Sequence, residues 1–391
     1  GSGSVNGNGE VVGIAVAVEG WSGYFPIAHE GGGNMDRALV LDWFEEVLHT
    51  DATKIFHNAM YDVSWIRSMG FYIRGGVIDT LIAASLIDEN RWGYALNALG
   101  KQYVGVGKNE KILNDAAKSW GIDPKADMWR LPAPLVGEYA EQDAVLTLRL
   151  WHALQREISS QDLWDVFNLE TNLFPCLIDM KFKGVRVDAE KANLLKQELI
   201  KEEKNIYRGI RKLIGFDVEI WAAASIAKAF DEVKLPYDRT EKGAPSFTKN
   251  FLATHPHELP KAIANAREIN KAHTTFIDTI IKHEHNGRIH ADINQIRSDD
   301  GGTVTGRFSY SNPNLQQIPA RNKDLGPKIR ALFVPEKNHT WGCFDYSQQE
   351  PRIVVHFASL LKLEGSQTIV DQYNAGEADF HQMIADMAGI E

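Results

Sequence analysis

The sequence predicts an α/β domain, then a mostly helical region, and then a region of the α+β class. Two observations lead to this prediction. Short strand-like runs come first, and helical patterns follow them up to about residue 158. Long charged helical patterns then occupy the middle of the chain, and strand-and-turn patterns return from residue 288. With 391 residues, 44% of them apolar, the chain is expected to form two or three domains.

The first region opens with two apolar runs separated by the turn Glu19-Gly20. These runs predict strands at Val11–Val18 and Gly23–Ile27, and a further short strand is expected at Lys54–Phe56. Apolar residues at helical spacing predict helices at 36–49, 61–69, 79–88, 93–103, 109–120 and 133–157.

The middle of the chain is predicted to be helical. Apolar periodicity predicts a helix at 162–183, which ends at Lys183-Gly184 and leads into a short strand at Val185–Val187. The segment Asp238–Thr248 is polar and is expected to be a loop. Further helices are expected at 189–213, 222–233 and 258–283.

The last part of the chain returns to strand patterns. Strands are predicted at Arg288–Gln295, Ala331–Val334 and Trp341–Asp345. The third run is apolar and ends in one aspartate. We therefore expect a buried strand that carries the Asp345 carboxylate to its end, where a metal ion can reach it.

Composition limits the classes of function. The net charge of −10 argues against a protein that coats nucleic acid non-specifically, but not against an enzyme with local basic residues and an acidic metal site. The two cysteines, Cys176 and Cys343, lie far apart in sequence, which favours a reduced, cytoplasmic protein. No apolar run is long enough to predict a membrane span.

Three segments carry a family resemblance. The stretch Gly342–Arg352 follows Thr305-Gly306-Arg307 and Ser311–Pro319 in the chain. In residue identity, order and spacing these segments resemble motif A and the preceding primer-binding segment of DNA polymerase family A, as found in bacteria and phages. The resemblance implies a ribonuclease H-like 3′–5′ exonuclease domain with its first strand clipped at 1–158. A connecting helix and the start of the palm would follow at 159–188, then the thumb at 189–287 and an incomplete palm at 288–391.

The resemblance also implies roles for residues of the polymerase part. Asp345 would be the catalytic aspartate that binds both Mg²⁺ (or Mn²⁺) ions, and the backbone carbonyl of Tyr346 would be another metal ligand. Glu350 would select deoxynucleotides by filling the space of a ribose 2′-hydroxyl, and His381 would lie near the nucleotide triphosphate. Side chains expected to contact primer–template DNA are Arg307, Asn314, Gln316, Gln317 and Arg321.

A second set of residues resembles the exonuclease site of the same family. Asp62 and Asp143 would bind the metal pair, and Tyr139 would orient the attacking water. Tyr139 and Asp143 are four residues apart on a predicted helix and so share one face. The family's first motif, D-x-E, would precede Gly7, but residues 1–6 contain no carboxylate. We therefore predict no proofreading by this chain.

In the family, the fingers and a second carboxylate motif, H-D-E, follow the segment that ends here, and residues after Arg352 match neither. We expect negligible primer extension by this chain alone, and a second polypeptide would have to supply the fingers. Deoxynucleoside triphosphates would be the other substrate. Arg239, Lys242 and Lys249 would track the duplex backbone from the thumb tip. The alternatives are a non-catalytic module that binds primer–template DNA and a stand-alone exonuclease.

Overall fold

The computed structural model describes residues 3–299, 301–320 and 322–389. It divides into two units, Gly1–Val334 and Pro335–Glu391. The predicted fold class is confirmed, because strands and helices alternate first, helices dominate the middle, and short strands with helices follow. No helix in the described ranges is long and apolar enough to cross a membrane.

The first part of the larger unit contains two small sheets and seven helices among the described residues. A π-helical turn at Gly100–Val104 and a 3₁₀ turn at Met128–Arg130 interrupt the connections. The elements are α1 (Gly3–Asn6), β1 (Gly13–Val18), β2 (Trp21–Pro26), α2 (Arg37–Leu48), β3 (Lys54–Phe56), α3 (Ala59–Ser68), β4 (Val77–Asp79), α4 (Thr80–Ile87), α5 (Leu96–Leu99), α6 (Lys111–Trp120) and α7 (Pro134–Ser160).

The sheets and helix starts of this part follow from local sequence. β1 and β2 form an antiparallel pair from Gly13↔Pro26 to Val18↔Trp21 around the predicted turn. β3 and β4 pair in parallel, and β4 was not predicted. Asp79 ends β4 and begins α4, where its carboxylate accepts a hydrogen bond from the Leu81 backbone N–H.

The remaining part of the larger unit is mostly helical, and its strands are two or three residues long. A π-helical segment, Ala272–Ile277, joins two of its helices, and Leu315–Gln317 forms a 3₁₀ turn. The elements are α8 (Trp164–Lys183), β5 (Val185–Arg186), α9 (Ala189–Ile214), α10 (Ala223–Glu232), β6 (Asp238–Arg239), β7 (Pro245–Ser246), α11 (Lys249–Thr254), α12 (Glu258–Lys271), α13 (Asp278–His283), β8 (Glu284–His285), β9 (Arg288–Ile289), β10 (Asp292–Asn294), β11 (Ser309–Ser311) and α14 (Leu325–Arg330).

Apolar cores hold these helices together. α9 begins at Asp188, whose side chain accepts the Lys191 N–H, and ends at Gly215, which has φ 83°. Its apolar face packs on α10 to α12 around Phe230, a fully buried side chain. Burial of a side chain of this size contributes about 3 kcal/mol, so this cluster is a main source of stability for the helical region.

Two of the predicted strands after residue 288 take a different form. The run Arg288–Gln295 splits into β9 and β10, because β9 pairs with β5 and β8 whereas β10 pairs with β11. The segment Ala331–Val334 is not a strand. It continues the turn after α14 and forms a single bridge between Phe333 and Val187.

The smaller unit contains three helices within its described residues: α15 (Gln349–Leu360), α16 (Ser366–Ala375) and α17 (Phe380–Ala388). The predicted strand Trp341–Asp345 is wrong. This segment is irregular, and Phe344 is 97% exposed. A strand needs a neighbour for its backbone hydrogen bonds, and no strand in the described ranges pairs with this run.

Candidate functional site

The predicted nuclease residues lie around one large cavity in the larger unit. The cavity has a volume of about 960 Å³, and every residue of β1 and β3 lines it. Asp62 reaches it from the first turn of α3, and Tyr139 and Asp143 reach it from α7. The structure therefore brings together these three predicted residues, which are separated by up to 81 positions in the chain (143 minus 62).

Asp143 forms an ion pair that the sequence analysis did not anticipate. The Lys108 ammonium lies 2.6 Å from Asp143 Oδ2, and both side chains are largely buried. The same Nζ is 3.5 Å from the Tyr139 hydroxyl oxygen and 5.2 Å from the centre of the Tyr139 ring. Asp143 Oδ1 is buried and has no hydrogen-bond partner among the described residues. Burial raises the pKa of the Asp143 carboxyl, and Lys108 and Tyr139 act in the opposite direction.

Asp62 and Asp79 are a pair of carboxyl groups that interact through their charges. Burial is the main cause that raises the pKa of Asp62 from 3.8 to about 7, and the charge of Asp79 adds to it. Asp79 accepts hydrogen bonds from the backbone N–H groups of Asn58, Ala59 and Leu81. These bonds lower its pKa, but burial outweighs them and raises it to about 6. Asp79 thus fixes the start of α3 and α4 beside Asp62.

His57 completes the buried polar groups near this cavity. Its Nδ1 lies 2.8 Å from the Thr80 hydroxyl. Burial first, and then the nearby charge of Lys108, lowers the pKa of His57 to about 4. The imidazole is therefore neutral at physiological pH.

These side chains do not fit the two-metal centre that the resemblance implies. Within the described residues, no group of three or more His, Cys, Asp or Glu side chains is arranged to hold a metal ion. The Lys108 ammonium, 2.6 Å from Asp143 Oδ2, already neutralises part of the charge of that carboxylate. A hard divalent cation requires several charged oxygen ligands, which this arrangement does not supply.

The predicted DNA contacts lie on a short exposed segment of the larger unit. β11 pairs with β10, and the segment continues into the 3₁₀ turn Leu315–Gln317. Arg307, Asn314, Gln316 and Gln317 are all exposed there, whereas Arg321 lies outside the described residues.

The amide groups of this segment differ in their availability. Asn314 Oδ1 accepts the Gln316 backbone N–H and so caps the 3₁₀ turn. The Gln316 amide nitrogen donates to the Phe308 carbonyl, 2.9 Å away, which leaves its oxygen for a ligand. The Gln317 side chain makes no hydrogen bond within the described part of the chain. Of the three amides, only Asn314 and Gln316 are thus engaged by hydrogen bonds within the described residues.

The thumb-tip cations are also partly engaged. Arg239 donates a hydrogen bond to the Gly243 carbonyl across the β6–β7 hairpin, and the Lys249 ammonium pairs with Glu268 at 2.9 Å. Lys242 is exposed in the turn between the two strands.

The predicted nucleotide-site residues lie in the smaller unit. Asp345 and Tyr346 are exposed in the irregular segment before α15, and the Tyr346 side chain is 81% exposed. Glu350 lies in the first turn of α15 and His381 in the first turn of α17, both exposed. The expectation of a buried strand that ends at Asp345 is therefore wrong.

The Gln348 side chain connects the segment before α15 to α16 and to the start of α17 by hydrogen bonds. Gln348 Oε1 accepts hydrogen bonds from the Tyr373 hydroxyl (3.0 Å) and from the Phe380 backbone N–H (2.8 Å). The Arg352 guanidinium lies 4.6 Å from the centre of the Tyr373 ring. The segment that carries Asp345 is thereby anchored beside the start of α17, next to His381.

Sequence reasoning missed Lys108 and Asp79. Lys108 follows Gly105-Val106-Gly107, a glycine-containing turn that could have suggested a side chain presented to a site. Asp79 is the first residue of the predicted helix 79–88 and is an N-cap residue type, which is a signal for a structural role.

Comparison with known proteins decides the family. The model of DNA polymerase family A matches residues 189–390, which is just over half of the chain, and a 3′-5′ exonuclease model matches residues 5–159. The chain belongs to DNA polymerase family A. The two matches follow one another in the order that the motifs predicted.

Relatives and solved structures agree with this membership of DNA polymerase family A. A DNA-directed DNA polymerase of Pseudomonas phage M6 is 37% identical over 98% of this chain and 61% of its own length. DNA polymerase DpoZ of Salmonella phage PMBT28 is 30% identical over 98% of the chain and 63% of its own length. The chain therefore spans about three fifths of these relatives.

The structural comparison extends over the whole fold. The POL domain of Pol1 from M. smegmatis, solved in complex with a DNA primer-template and dNTP, superposes with a TM-score of 0.72. The match covers 98% of this chain and 61% of that one, at 23% identity, and so it supports the fold alone.

Proposed function

We propose that this chain provides the primer–template-binding and motif A portion of an enzyme that performs template-directed DNA synthesis. The observation that carries the proposal is the exposed segment with Arg307, Asn314, Gln316 and Gln317, which precedes Asp345 in a family A sequence. Amide and guanidinium groups on a hydrogen-bonded turn can contact groove acceptors that all base pairs share, which gives affinity without sequence preference.

The remaining residue roles belong to the same proposal. Family A polymerases and their exonuclease domains generally use divalent metals, and Asp345 and the Tyr346 carbonyl are the proposed Mg²⁺ or Mn²⁺ ligands of the synthesis site. Glu350 would exclude the ribose 2′-hydroxyl, and His381 would contact the triphosphate. The proposed parts are 1–158 (exonuclease-like), 159–188 (connecting helix), 189–287 (thumb) and 288–391 (palm).

DNA binding tests the proposal without requiring chemistry. Gln317→Ala and Arg307→Ala should each weaken binding of a labelled primer–template duplex by roughly 5- to 10-fold, from the loss of about 1 kcal/mol per contact. Arg307→Ala should also lower the salt dependence of binding, because the variant lacks one positively charged side chain that would neutralise a DNA phosphate. Asn338→Ala, an exposed amide of the smaller unit, is the control. If both variants bind like the native chain, the proposed interface is wrong.

Primer extension tests the catalytic part. Negligible extension by the 391-residue chain alone stays a prediction. Extension should appear when a polypeptide with family A fingers and the H-D-E motif is added, and should be lost in Asp345→Ala. Extension by the pure chain that depends on Asp345 would contradict the prediction.

The ion pair in the large cavity favours a second proposal for residues 1–158, namely a folded support for the polymerase part rather than a nuclease. The Lys108 ammonium, 2.6 Å from Asp143 Oδ2, takes the position of a counter-charge that a metal would otherwise supply. Incubation of single-stranded DNA with the chain and Mn²⁺ should give no cleavage. Cleavage that Asp143→Asn abolishes would refute this proposal.

A further inference from the structure

A second cavity lies in the helical region of the larger unit, and none of the residues discussed for catalysis lines it. It has a volume of about 420 Å³ and is bordered by one tryptophan, four basic side chains and one acidic side chain. These residues are Trp221, Lys249, Lys261, Arg267, Lys271 and Glu268. The cavity is therefore strongly basic, whereas the chain as a whole has a net charge of −10. A local charge of this sign attracts phosphates.

The indole of Trp221 is exposed but held in one orientation. Its side chain is 59% exposed, and its Nε1 donates a hydrogen bond to Asn270 Oδ1 at 3.0 Å. The Arg267 guanidinium lies 5.2 Å from the centre of the ring. The guanidinium is itself fixed, because it donates to the carbonyls of Ile220 (2.6 Å) and Phe247 (3.0 Å).

These contacts hold the Trp221 ring in an orientation in which a ligand can reach it. A tryptophan that serves only the core would bury its large apolar surface, and this one leaves more than half of it in water. Because its edge and its cation partner are already fixed, a flat aromatic ligand could stack on it with little loss of side-chain freedom. Arg267 would add to the stacking through its charge.

Helix α12 presents the cations on one face. Lys261, Ala264, Glu268 and Lys271 follow each other at spacings of three or four residues, so they lie in one row along the cavity. Lys261 and Lys271 form no ion pair within the described ranges, and the Lys271 ammonium lies 5.6 Å from the centre of the Phe276 ring. Ala264 is small and leaves room above the helix.

We propose that this cavity binds one unpaired nucleotide of a DNA strand, with its base stacked on Trp221 and its neighbouring phosphates against Lys261 and Lys271. A base is the flat aromatic group that the ring can accept. The phosphates match the two lysines, Lys261 and Lys271, that pair with no acidic side chain in the part of the chain that the structure describes. The inference rests on the proposed DNA-binding function and adds an unpaired-strand site to the duplex interface proposed there.

The test compares two probes on the same variants: a single-stranded thymidine oligonucleotide of about 12 nucleotides and a blunt duplex. Trp221→Ala should bind the single strand about 10-fold more weakly, because one base–aromatic stack is lost. Trp221→Phe should keep most of the affinity. Trp92→Ala removes a tryptophan that is 99% exposed elsewhere and should change nothing. Far-ultraviolet circular dichroism checks that each variant is folded.

The phosphate part of the site has its own readout. Lys261→Gln should reduce the slope of log affinity against log salt for the single strand by about 1, with no change for the duplex. An oligonucleotide of the same length that lacks bases should bind native and Trp221→Ala chains equally.

Two outcomes would overturn the inference. The first is unchanged single-strand binding in Trp221→Ala, and the second is an equal loss for the blunt duplex. If the native chain binds duplex DNA while either outcome occurs, only this inference fails. If the native chain binds neither probe, the proposed DNA-binding function fails as well.

Discussion

The half-buried carboxyl of Asp62 makes the stability of the first part of the chain depend on pH. Burial and the charge of Asp79 raise the Asp62 pKa from 3.8 to about 7 in the folded protein. The folded state therefore favours the neutral acid. The stabilising effect is fully present below pH 3.8, is lost as pH rises through 7, and is absent at pH 8. Asp62→Asn, which imitates the neutral acid, should remove the part of this dependence that Asp62 contributes and leave the part that comes from Asp79.

The size of the effect follows from the two pKa values. The difference between 3.8 and about 7 corresponds to about 4 kcal/mol of free energy. The Asp62 side chain is only half-buried by accessible surface, and water that reaches it weakens the penalty on the charge. We therefore expect Asp62→Asn to be more stable than the native chain by about 2 kcal/mol at pH 8, and no more stable at about pH 4.

Urea denaturation followed by circular dichroism at both pH values measures this difference. Asp42→Asn is the matched control, because Asp42 is an exposed carboxylate on α2. It should follow the pH dependence of the native chain. The reasoning is refuted if Asp62→Asn is destabilised at pH 8, or if its stability changes with pH in the same way as that of the native chain.

Two further predictions concern the buried ion pair and the smaller unit. Lys108→Met leaves the Asp143 carboxylate buried without its partner and should destabilise the chain by about 3 kcal/mol in urea denaturation. The added change Asp143→Asn should restore most of this loss, and a loss that persists would contradict the pairing. Gln348→Ala removes the acceptor of the Tyr373 and Phe380 hydrogen bonds, at a cost of about 1–2 kcal/mol. Exchange of the Phe380 amide hydrogen should become faster by roughly 5- to 30-fold, and an unchanged rate would show that Gln348 does not hold α17.

Local patterns were sufficient for most of the helices. The predicted helix 189–213 corresponds to Ala189–Ile214 and 222–233 to Ala223–Glu232, because amphipathic periodicity and capping residues act within one helix. The predicted helix 258–283 is helical throughout but contains the π-helical segment Ala272–Ile277, which periodicity did not reveal. The strands were harder, since pairing partners are distant in sequence. Trp341–Asp345 has a strand composition but lacks a pairing neighbour in the described ranges.

The family, the order of its parts and the identity of the candidate carboxylates were determined by the sequence itself, because motifs are short and local. Only the tertiary structure decided what surrounds those groups. Lys108 and Asp143 are 35 residues apart in the chain, and Trp221 and Asn270 are 49 apart. Neither contact can therefore be predicted from a local sequence pattern. The environment of an ionisable group is set by burial and by neighbours from other elements, and these arise only when the chain folds.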